Sequence, residues 1–431
     1  MTDLLLRDAR LVDGTGAAAR THVDVLVSGG LVAAVAPTGT HPAALVPAAG
    51  TTPDPDRLTV VEAAGLTVLP GFVDCHVHVS TTPGADTLES VLAPESLLTL
   101  RSVPHLAATL AAGVTTVRDL AGADSGFRDA VEQGLVPGPR LLVALRILSI
   151  TGGHGDWRTI EGVPLDTGPG AGAVADSPAE FVRAVREVIR QGADWVKVAA
   201  TGGMGSPRSN PESGGLSEPE LRAVVTEADR HGAVGVAAHA QGTAGIAAAV
   251  RSGVRSIEHG YLVDDATIEA MGERGTYLVP TLSTLTRPVA PGTAPWVADR
   301  RRRNQQAARE RLHAALTAGV PVALGTDAGI APHGTNLTEL ALLVEHGLSP
   351  MAALVAGTSG AARLLGLDDQ IGTVAPGLRA DLVAVDVDPL TSIDSLADPR
   401  HVPLVVQDGR IVKDTRAGAR AQQGGVVGAR G

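Results

Sequence analysis

The sequence predicts an α/β protein in which a (β/α)₈ TIM barrel carries a small β-sandwich domain built from both chain ends. Eight short runs of Val, Ala and Ile, separated by alanine-rich amphipathic segments, occupy the middle of the chain. Both chain ends instead alternate apolar strands with turns. The length of 431 residues and the hydrophobic content of 44% suit one large barrel with a satellite domain.

Residues 1–67 are predicted to form the N-terminal part of the β-sandwich domain. The alternating pattern of His22–Val27, followed by Gly29 and Gly30, is typical of a β-hairpin. Residues 37–57 are rich in Pro, Thr, Gly and Ala, which indicates an irregular loop. Strand character then returns in "LTVVEAAGLTVLP", just before the barrel is expected to begin.

Residues 68–375 are predicted to form the barrel, with parallel strands buried on both faces because helical segments separate the apolar runs. The runs are Val68–Val79, Val114–Leu120, Leu141–Leu145, Trp195–Ala200, Ala233–Ala240, Arg255–His259, Thr276–Pro280 and Val322–Asp327. The predicted helices include Pro178–Gln191, Glu218–Gly232, Ala244–Gly253 and Ala298–Gly319. A doubly wound open sheet is the alternative, but no phosphate-binding glycine motif follows the first run.

Residues 376–420 return to a pattern of strands and turns, in "GLRADLVAVDVDP" and "VPLVVQDGRIVKD". We predict that these strands join the N-terminal ones and complete the β-sandwich domain. Residues 421–431 have no apolar pattern and are expected to be a disordered tail.

The composition excludes several classes of partner. A formal net charge of −11 and an aromatic content of 2% argue against nucleic acid, which needs basic patches and stacking platforms. The single cysteine, Cys75, excludes an intrachain disulfide and is typical of a reducing compartment. Neither a signal-peptide core nor an apolar stretch of about 18 residues is found. We therefore predict a cytoplasmic protein without a membrane partner.

Polar side chains that can bind a metal occur at the carboxyl ends of the predicted strands, where barrels carry their chemistry. They are His76 and His78 in the first run, Lys197 in the fourth, His239 in the fifth, His259 in the sixth and Asp327 in the eighth. Each alone could be a packing residue or a helix cap, but together they would meet at one mouth. Imidazole and carboxylate groups are common Zn²⁺ ligands, so the sequence predicts a metal site.

Strand alternation divides the segment "GFVDCHVHVS", residues 71–80, between two faces. His76 and His78 share one face, and Cys75 and Val77 lie on the other. Cys75 is thus expected to be a packing residue and not a ligand.

Lys197 is the unusual member of the set, because an ammonium group repels a metal ion. Burial in an apolar barrel favours the neutral amine and lowers its pKa. A neutral amine can add CO₂ and become a carbamate, an anionic ligand whose two oxygens can bridge two metal ions. We therefore expect Lys197 to be carboxylated.

This set of residues resembles the amidohydrolase superfamily in its binuclear, carboxylated-lysine form. The motifs "LPGFVDCHVHV", "TTVRD", "TGGHGD", "VKVAATGG", "EHGYLVDD" and "GTDAGIAPHGTN" are similar to its prolidase-like and imidazolonepropionase-like branch. The resemblance covers about residues 4–414 and implies the same barrel and β-sandwich domain.

The resemblance also implies two divalent metal ions, with Zn²⁺ as the expected metal, and a homo-oligomer. The implied ligands are His76, His78 and Asp327 for the buried ion, His239 and His259 for the outer ion, and carboxylated Lys197 as the bridge between them.

Hydrolysis of an amide bond is the function that the resemblance implies. A hydroxide bridging the two ions would attack the carbonyl, while Asp327 takes its proton and delivers it to the leaving nitrogen. The resemblance implies a small-molecule substrate, such as the dipeptide of a prolidase or an N-acyl amino acid. Imidazolonepropionase-type opening of a cyclic amide is the alternative, against which Lys197 weighs because that enzyme resembles a single-metal site. A catalytically inactive scaffold of the same fold is disfavoured because no ligand is missing.

His154 in "TGGHGD" and Tyr261 in "EHGYL" are candidate catalytic residues. Either could stabilise the oxyanion of the reaction or bind a carboxylate of the substrate. A role in loop structure is the alternative for both.

Three further residues are candidate contacts with the substrate: Arg118, Arg208 and His333. Arg118 ends the second run, and a structural role, in a pair with Asp119 or with a ligand carboxylate, is its alternative. Arg208 lies in residues 202–215, where glycines and prolines indicate a specificity loop or lid. His333 follows the eighth run in "APHGTN".

Overall fold

A computed structural model of the chain describes residues 3–40, 58–85, 92–159, 161–163, 165, 172–204, 210–289 and 295–416. Most of the irregular loop predicted at 37–57 and the whole tail predicted at 421–431 lie outside the described residues.

The strands, in chain order, are β1 (Asp3–Leu11), β2 (Arg20–Ser28), β3 (Leu31–Pro37), β4 (Leu58–Glu62), β5 (Thr67–Pro70), β6 (Phe72–Val77), β7 (Val114–Asp119), β8 (Arg140–Val143), β9 (Ile147–Ser149), β10 (Ala173–Val174), β11 (Val196–Ala199), β12 (Val236–Ala240), β13 (Ser256–His259), β14 (Tyr277–Val279), β15 (Leu382–Val385), β16 (Leu404–Gln407) and β17 (Arg410–Asp414).

The helices are α1 (Glu95–Ala111), α2 (Ser125–Glu132), α3 (Pro178–Arg190), α4 (Glu218–Arg230), α5 (Thr243–Ser252), α6 (Asp265–Arg274), α7 (Leu282–Leu285), α8 (Pro295–Thr317), α9 (Thr338–Glu345), α10 (Pro350–Ala356) and α11 (Ser359–Leu365). Two short 3₁₀ turns follow β15, at Ile393–Ala397 and Pro399–His401.

Strands from both chain ends form one eight-stranded sheet. Its order is β17-β16-β15-β5-β1-β2-β3, with β4 paired to β1. The antiparallel pair β2–β3 is the hairpin that the alternating pattern predicted. The two chain ends meet where β15 runs antiparallel to β5 and pairs Val383 with Leu69. Leu6 and Val25 are among the buried residues that form the apolar core of this sheet.

The other strands are parallel and form two sheets. β6, β7 and β8 pair in that order, and β9, β11, β12, β13 and β14 form the next run of neighbours. Leu278 of β14 forms a parallel bridge with Val322, and the amide of Cys75 in β6 donates to the carbonyl of Leu324 at 2.8 Å. The segment around Val322 therefore links the last parallel strand to the first, an arrangement consistent with a TIM barrel.

The first predicted run, Val68–Val79, proves to span two elements. Its beginning is β5 of the chain-end sheet, and the parallel sheet starts only at β6. Gly71 separates them, and a Cβ added there would lie 2.2 Å from Thr115 Oγ1. Only glycine allows the chain to pass this close to β7.

Helices connect the parallel strands, as the pattern predicted. α3 begins with Pro178 at its first position, after Ser177, whose side chain accepts a hydrogen bond from the Glu180 amide. Its buried residues Phe181 and Val185 recur at helical spacing and join the main core. No helix in the described part of the chain is long and apolar enough to cross a membrane.

Candidate metal centre

Several residues at or just beyond the carboxyl ends of the parallel segments have left-handed backbone conformations. The φ angles are 75° at His259, 49° at Thr281 and 59° at Asp327. Residues other than glycine rarely adopt such angles, which cost free energy and cluster at functional sites. The strain therefore falls on the end of the sheet where the predicted ligands lie.

His76, His78 and Asp327 form a compact cluster. Each offers one ligand atom, and these atoms all lie within 4.8 Å of one another. Asp327 Oδ1 is 3.3 Å from His78 Nε2 and 3.6 Å from His76 Nε2. Two imidazoles and one carboxylate at such distances are a typical ligand set for a divalent ion.

Hydrogen bonds hold the first two imidazoles with Nε2 turned towards Asp327. His78 Nδ1 donates to the carbonyl of Ala121 at 2.7 Å, which requires Nδ1 to carry the hydrogen. His76 Nδ1 lies 2.8 Å from Glu258 Oε2. In the neutral form of each imidazole the lone pair is then on Nε2, which is how proteins orient histidines that bind metals.

His239 and His259 lie beside this cluster. The His259 ring centroid is 5.1 Å from that of His76 and 4.6 Å from that of His239. His239 Nε2 donates to the carbonyl of Gly202 at 3.2 Å, so its Nδ1 keeps the lone pair. His259 Nδ1 is 2.7 Å from Thr281 Oγ1, which leaves Nε2 for another ligand. The structure thus brings all four predicted histidines together.

Lys197 lies in β11 with its side chain 2% exposed. Its Nζ is buried and has no hydrogen-bond partner in the described part of the chain. Burial lowers the pKa of this amine to about 8, although the charges of Glu258 and Asp327 favour the ammonium form. A buried ammonium without a partner is costly, whereas a carbamate beside metal ions would be satisfied. The imidazoles, the carboxylate and a carbamate on Lys197 therefore fit divalent metal ions.

Electrostatics favours the metal-binding protonation states of four of the candidate ligands: His76, His239, His259 and Asp327. Burial lowers the pKa of His76 and His239 well below the usual range and that of His259 to about 3. These imidazoles are therefore neutral near pH 7, which is the form that binds metal. Burial alone would raise the pKa of Asp327, but the hydrogen bond with His78 and the nearby imidazoles outweigh it. The pKa of Asp327 falls below its usual range, so the carboxylate is ionised.

A buried carboxylate that was not predicted from the sequence, Asp74, supports the turn before Asp327. It accepts hydrogen bonds from Thr326 Oγ1 at 2.6 Å and from Asn336 Nδ2 at 2.7 Å. It also accepts from the amide of His76 at 3.0 Å. Asp74 thus connects the strand of one ligand to the turn of another.

A second buried carboxylate, Asp119, fixes the loop behind His78. It accepts from the amide of Val79 at 2.7 Å and from the amide of Ala121 at 3.1 Å. Since the carbonyl of Ala121 holds His78 Nδ1, Asp119 acts on the imidazole through the backbone.

His154 stacks against His239, with ring centroids 3.9 Å apart and an interplanar angle of 17°. Burial lowers its pKa to about 4, so the ring is neutral near pH 7. Gly203 leaves room for this stack, because a Cβ there would lie 2.7 Å from His154 Cε1. His154 is therefore at the edge of the metal centre.

Tyr261 is buried, and its hydroxyl is committed to Thr281. The hydroxyl oxygen lies 3.1 Å from Thr281 Oγ1 and 3.4 Å from the Thr281 carbonyl. Thr281 Oγ1 is also the partner of His259 Nδ1. Tyr261 is thus connected to a candidate ligand, and its contact with substrate stays a prediction.

Arg118 does not reach the mouth, which contradicts its prediction as a substrate contact. Its side chain is fully buried, Nη2 donates to Glu258 Oε1 at 2.9 Å, and Nε donates to the Cys75 carbonyl at 2.6 Å. The guanidinium also lies 4.3 Å from the centroid of the Trp195 ring. Arg118 thus has a structural role, but its partner is Glu258 and not Asp119 or a ligand carboxylate.

The remaining predicted residues lie apart from the cluster or outside the described residues. His333 Nε2 donates to the carbonyl of Thr81 at 2.9 Å, and its ring stacks on His105 at 4.2 Å. It therefore packs beside the segment that follows His78. Arg208 lies outside the described residues.

Comparison with known proteins identifies the family. Residues 67–412, most of the chain, match the amidohydrolase family. The chain belongs to the amidohydrolase family. This confirms the resemblance noted in the sequence and identifies the protein as a hydrolase of carbon–nitrogen bonds.

Three relatives place this amidohydrolase within the family. It is 33% identical to ochratoxinase of Aspergillus niger over 365 residues, 80% of this chain and 75% of that protein. It is 29% identical to imidazolonepropionase of Nocardia farcinica over 383 residues, 81% of this chain and 82% of that protein. A prolidase structure complexed with N-methylphosphonate-L-proline is 35% identical, with a TM-score of 0.86 and coverage of 96% of this chain and 100% of that one. The predicted branch, prolidase-like and imidazolonepropionase-like, is confirmed.

Proposed function

We propose that this amidohydrolase uses two divalent metal ions, with Zn²⁺ as the expected metal, to cleave the amide bond of a dipeptide or an N-acyl amino acid. Lys197 is the observation that carries the proposal, because its buried amine has no partner in the described part of the chain. We propose that the barrel predicted at residues 68–375 begins after β5, because β5 pairs within the chain-end sheet, and that the strands of both chain ends form the β-sandwich domain.

The residues that would hold the ions are His76, His78 and Asp327 for one, His239 and His259 for the other, and carboxylated Lys197 for both. Bound ions would supply a water of lowered pKa and would polarise the carbonyl under attack. The chain prepares the bridge, since Lys197 Nζ can bond to the carbon of CO₂ and release one proton. With a pKa of about 8, roughly a tenth of the amine is neutral at pH 7.

Asp327 is proposed to move the proton of the reaction. It takes a proton from the attacking water and then delivers it to the leaving nitrogen, in two steps that one carboxylate can perform in sequence. Its Oδ1 faces the imidazole of His78, and its Oδ2 lies 3.3 Å from Thr284 Oγ1. Contacts on both oxygens hold the carboxylate in one orientation.

The substrate class is supported by the prolidase relative. Its ligand carries phosphorus on the proline nitrogen. A tetrahedral phosphonate at that position has the shape of an N-acyl-proline carbonyl while water attacks it. An amide of an amino acid is therefore the substrate that we propose for this chain.

His154 is proposed to donate a hydrogen bond to the oxyanion, because its neutral ring stacks on a candidate ligand. Tyr261 would support the same step through Thr281 or by direct contact. Arg208 is proposed to contact the carboxylate of the substrate, and His333 is proposed to contact the substrate.

A cyclic amide is the second candidate substrate, because imidazolonepropionase is 29% identical to this chain. Lys197 argues against it, since the carbamate bridge serves a site with two ions. The two candidates differ in the bond that is cleaved, so substrates can separate them.

A substrate screen tests the proposal. Zinc-loaded protein would be offered a dipeptide library that includes Xaa-Pro members, an N-acyl amino acid library and imidazolone propionate, and free amines would be quantified. We expect hydrolysis of dipeptides or N-acyl amino acids. Hydrolysis of the imidazolone alone would contradict the substrate class, and hydrolysis of no amide would contradict the proposed function.

Gly203→Ala is expected to displace His154 and to lower kcat by about 10- to 100-fold, because small misplacements of an active-site group have effects of this size. Metal content would be measured in parallel. Gly214→Ala is the matched control, since a Cβ there meets nothing within 4 Å. Unchanged kcat in Gly203→Ala would exclude a role for the stacked imidazole in turnover.

A further inference from the structure

A buried ion pair crosses the interior of the parallel strands beneath the metal centre. Arg118 of β7 and Glu258 of β13 are both 0% exposed, and their strands are not neighbours in the sheet order. Glu258 uses its two oxygens differently. Oε1 accepts from Arg118 Nη2 at 2.9 Å and from the Ser256 hydroxyl, whereas Oε2 lies 2.8 Å from His76 Nδ1.

We propose that Glu258 is a positioning residue that fixes the tautomer of His76, and that Arg118 fixes the orientation of Glu258. The inference rests on the proposed function, in which His76 binds a metal ion. The Glu258 carboxylate is paired with the Arg118 guanidinium and offers only acceptors, so His76 Nδ1 donates to Oε2. The lone pair is then on Nε2, the atom that faces Asp327 at 3.6 Å.

The ion pair does more than stabilise the fold. Two buried charges lose hydration, and an apolar pair of similar volume is often as stable, so stability alone is a weak reason for this arrangement. A carboxylate that holds a ligating histidine is a recurrent device for orienting metal ligands. Arg118 completes it, because the guanidinium donates to Oε1, donates to the Cys75 carbonyl and packs over Trp195.

Glu258→Gln separates the positioning of His76 from the stabilisation of the fold, because the side chain keeps almost the same shape. A guanidinium has only donors, so the amide oxygen of the new side chain must face Arg118. Its NH₂ group then faces His76 and donates to Nδ1, which moves the imidazole hydrogen to Nε2. In that tautomer Nε2 cannot bind a metal ion, although the core remains filled.

The experiment measures zinc affinity by chelator competition and imidazole tautomers by ¹⁵N NMR of the metal-free protein. In Glu258→Gln we expect one zinc ion to bind about 10- to 100-fold more weakly, the second to change little, and His76 to carry its hydrogen on Nε2. His76→Ala assigns the resonance. A folded Glu258→Gln with wild-type affinity for both ions and an unchanged tautomer would overturn the inference.

Two further variants test the part played by Arg118. In the double variant Arg118→Met/Glu258→Gln the amide is free to turn, so we expect at least tenfold recovery of zinc affinity over Glu258→Gln. No recovery would contradict the orienting role of Arg118. Glu269→Gln is the matched control, since Glu269 is exposed in α6 and lies outside the metal centre, and it should bind zinc like the wild type.

The inference stays testable even if Glu258→Gln fails to fold. If Glu258→Gln does not fold, Arg118→Met/Glu258→Leu replaces the ion pair with an apolar pair and leaves His76 Nδ1 without its carboxylate. The same weakening of one ion is expected, and wild-type affinity would overturn the inference. A wild-type protein that binds no zinc would instead contradict the proposed function, while the NMR tautomer still tests the role of Glu258.

Discussion

Asp327→Asn is expected to lower kcat by about 10²- to 10⁴-fold while the fold stays intact. The amide cannot accept the proton of the attacking water, so both proton transfers fail. The measurement is kcat on the best substrate of the screen, at saturating zinc and with metal content determined for each sample. Metal content matters because Asp327 also faces His76 and His78.

Asp229→Asn is the matched control for this variant, since Asp229 is exposed in α4 and lies outside the cluster. It should turn over like the wild type. Turnover of Asp327→Asn within about tenfold of the wild type, below the range for a lost acid–base group, would remove Asp327 as the proton carrier.

Lys197→Ala is expected to lose bound metal and to retain less than about 1% of wild-type turnover, because two ions would lose their common ligand. A short carboxylic acid such as acetate should restore part of the bound metal and part of the turnover, since it can occupy the place of the carbamate. Full activity in Lys197→Ala would show that the carbamate assignment is wrong.

The composition of the chain makes the carbamate directly observable. The sequence has two lysines, Lys197 and Lys413. After incubation with ¹³C-bicarbonate, we expect one carbamate ¹³C resonance that is present in Lys413→Arg and absent in Lys197→Arg. A resonance that persists in Lys197→Arg would contradict carboxylation at this site.

Much of the fold follows from local patterns. The parallel strands and helices were predictable because apolar runs and capped amphipathic segments alternate along the chain. The division of the first run at Gly71 was not predictable. The sequence is largely apolar both before Gly71, in β5, and after it, in β6. The pairing of β5 with β15 and of β6 with β7 shows that the chain changes sheet there.

The candidate site, like the fold, was predictable from the sequence only in part. The ligand set was predictable because the carboxyl ends of parallel strands converge on one mouth. The contact of Arg118 with Glu258 was not, because it joins strands that are distant in the sheet order. Glu258, Asp74 and Asp119 are acidic residues inside apolar strands, and the cost of burying a carboxylate is the signal that could have identified them.

Metal content of the native protein tests the central claim most directly. Elemental analysis of purified protein should find about two divalent ions per chain, as a binuclear site requires. Chelation should remove them together with amide hydrolysis, and added zinc should restore both. A native protein that hydrolyses its amide substrate while free of metal would contradict the account.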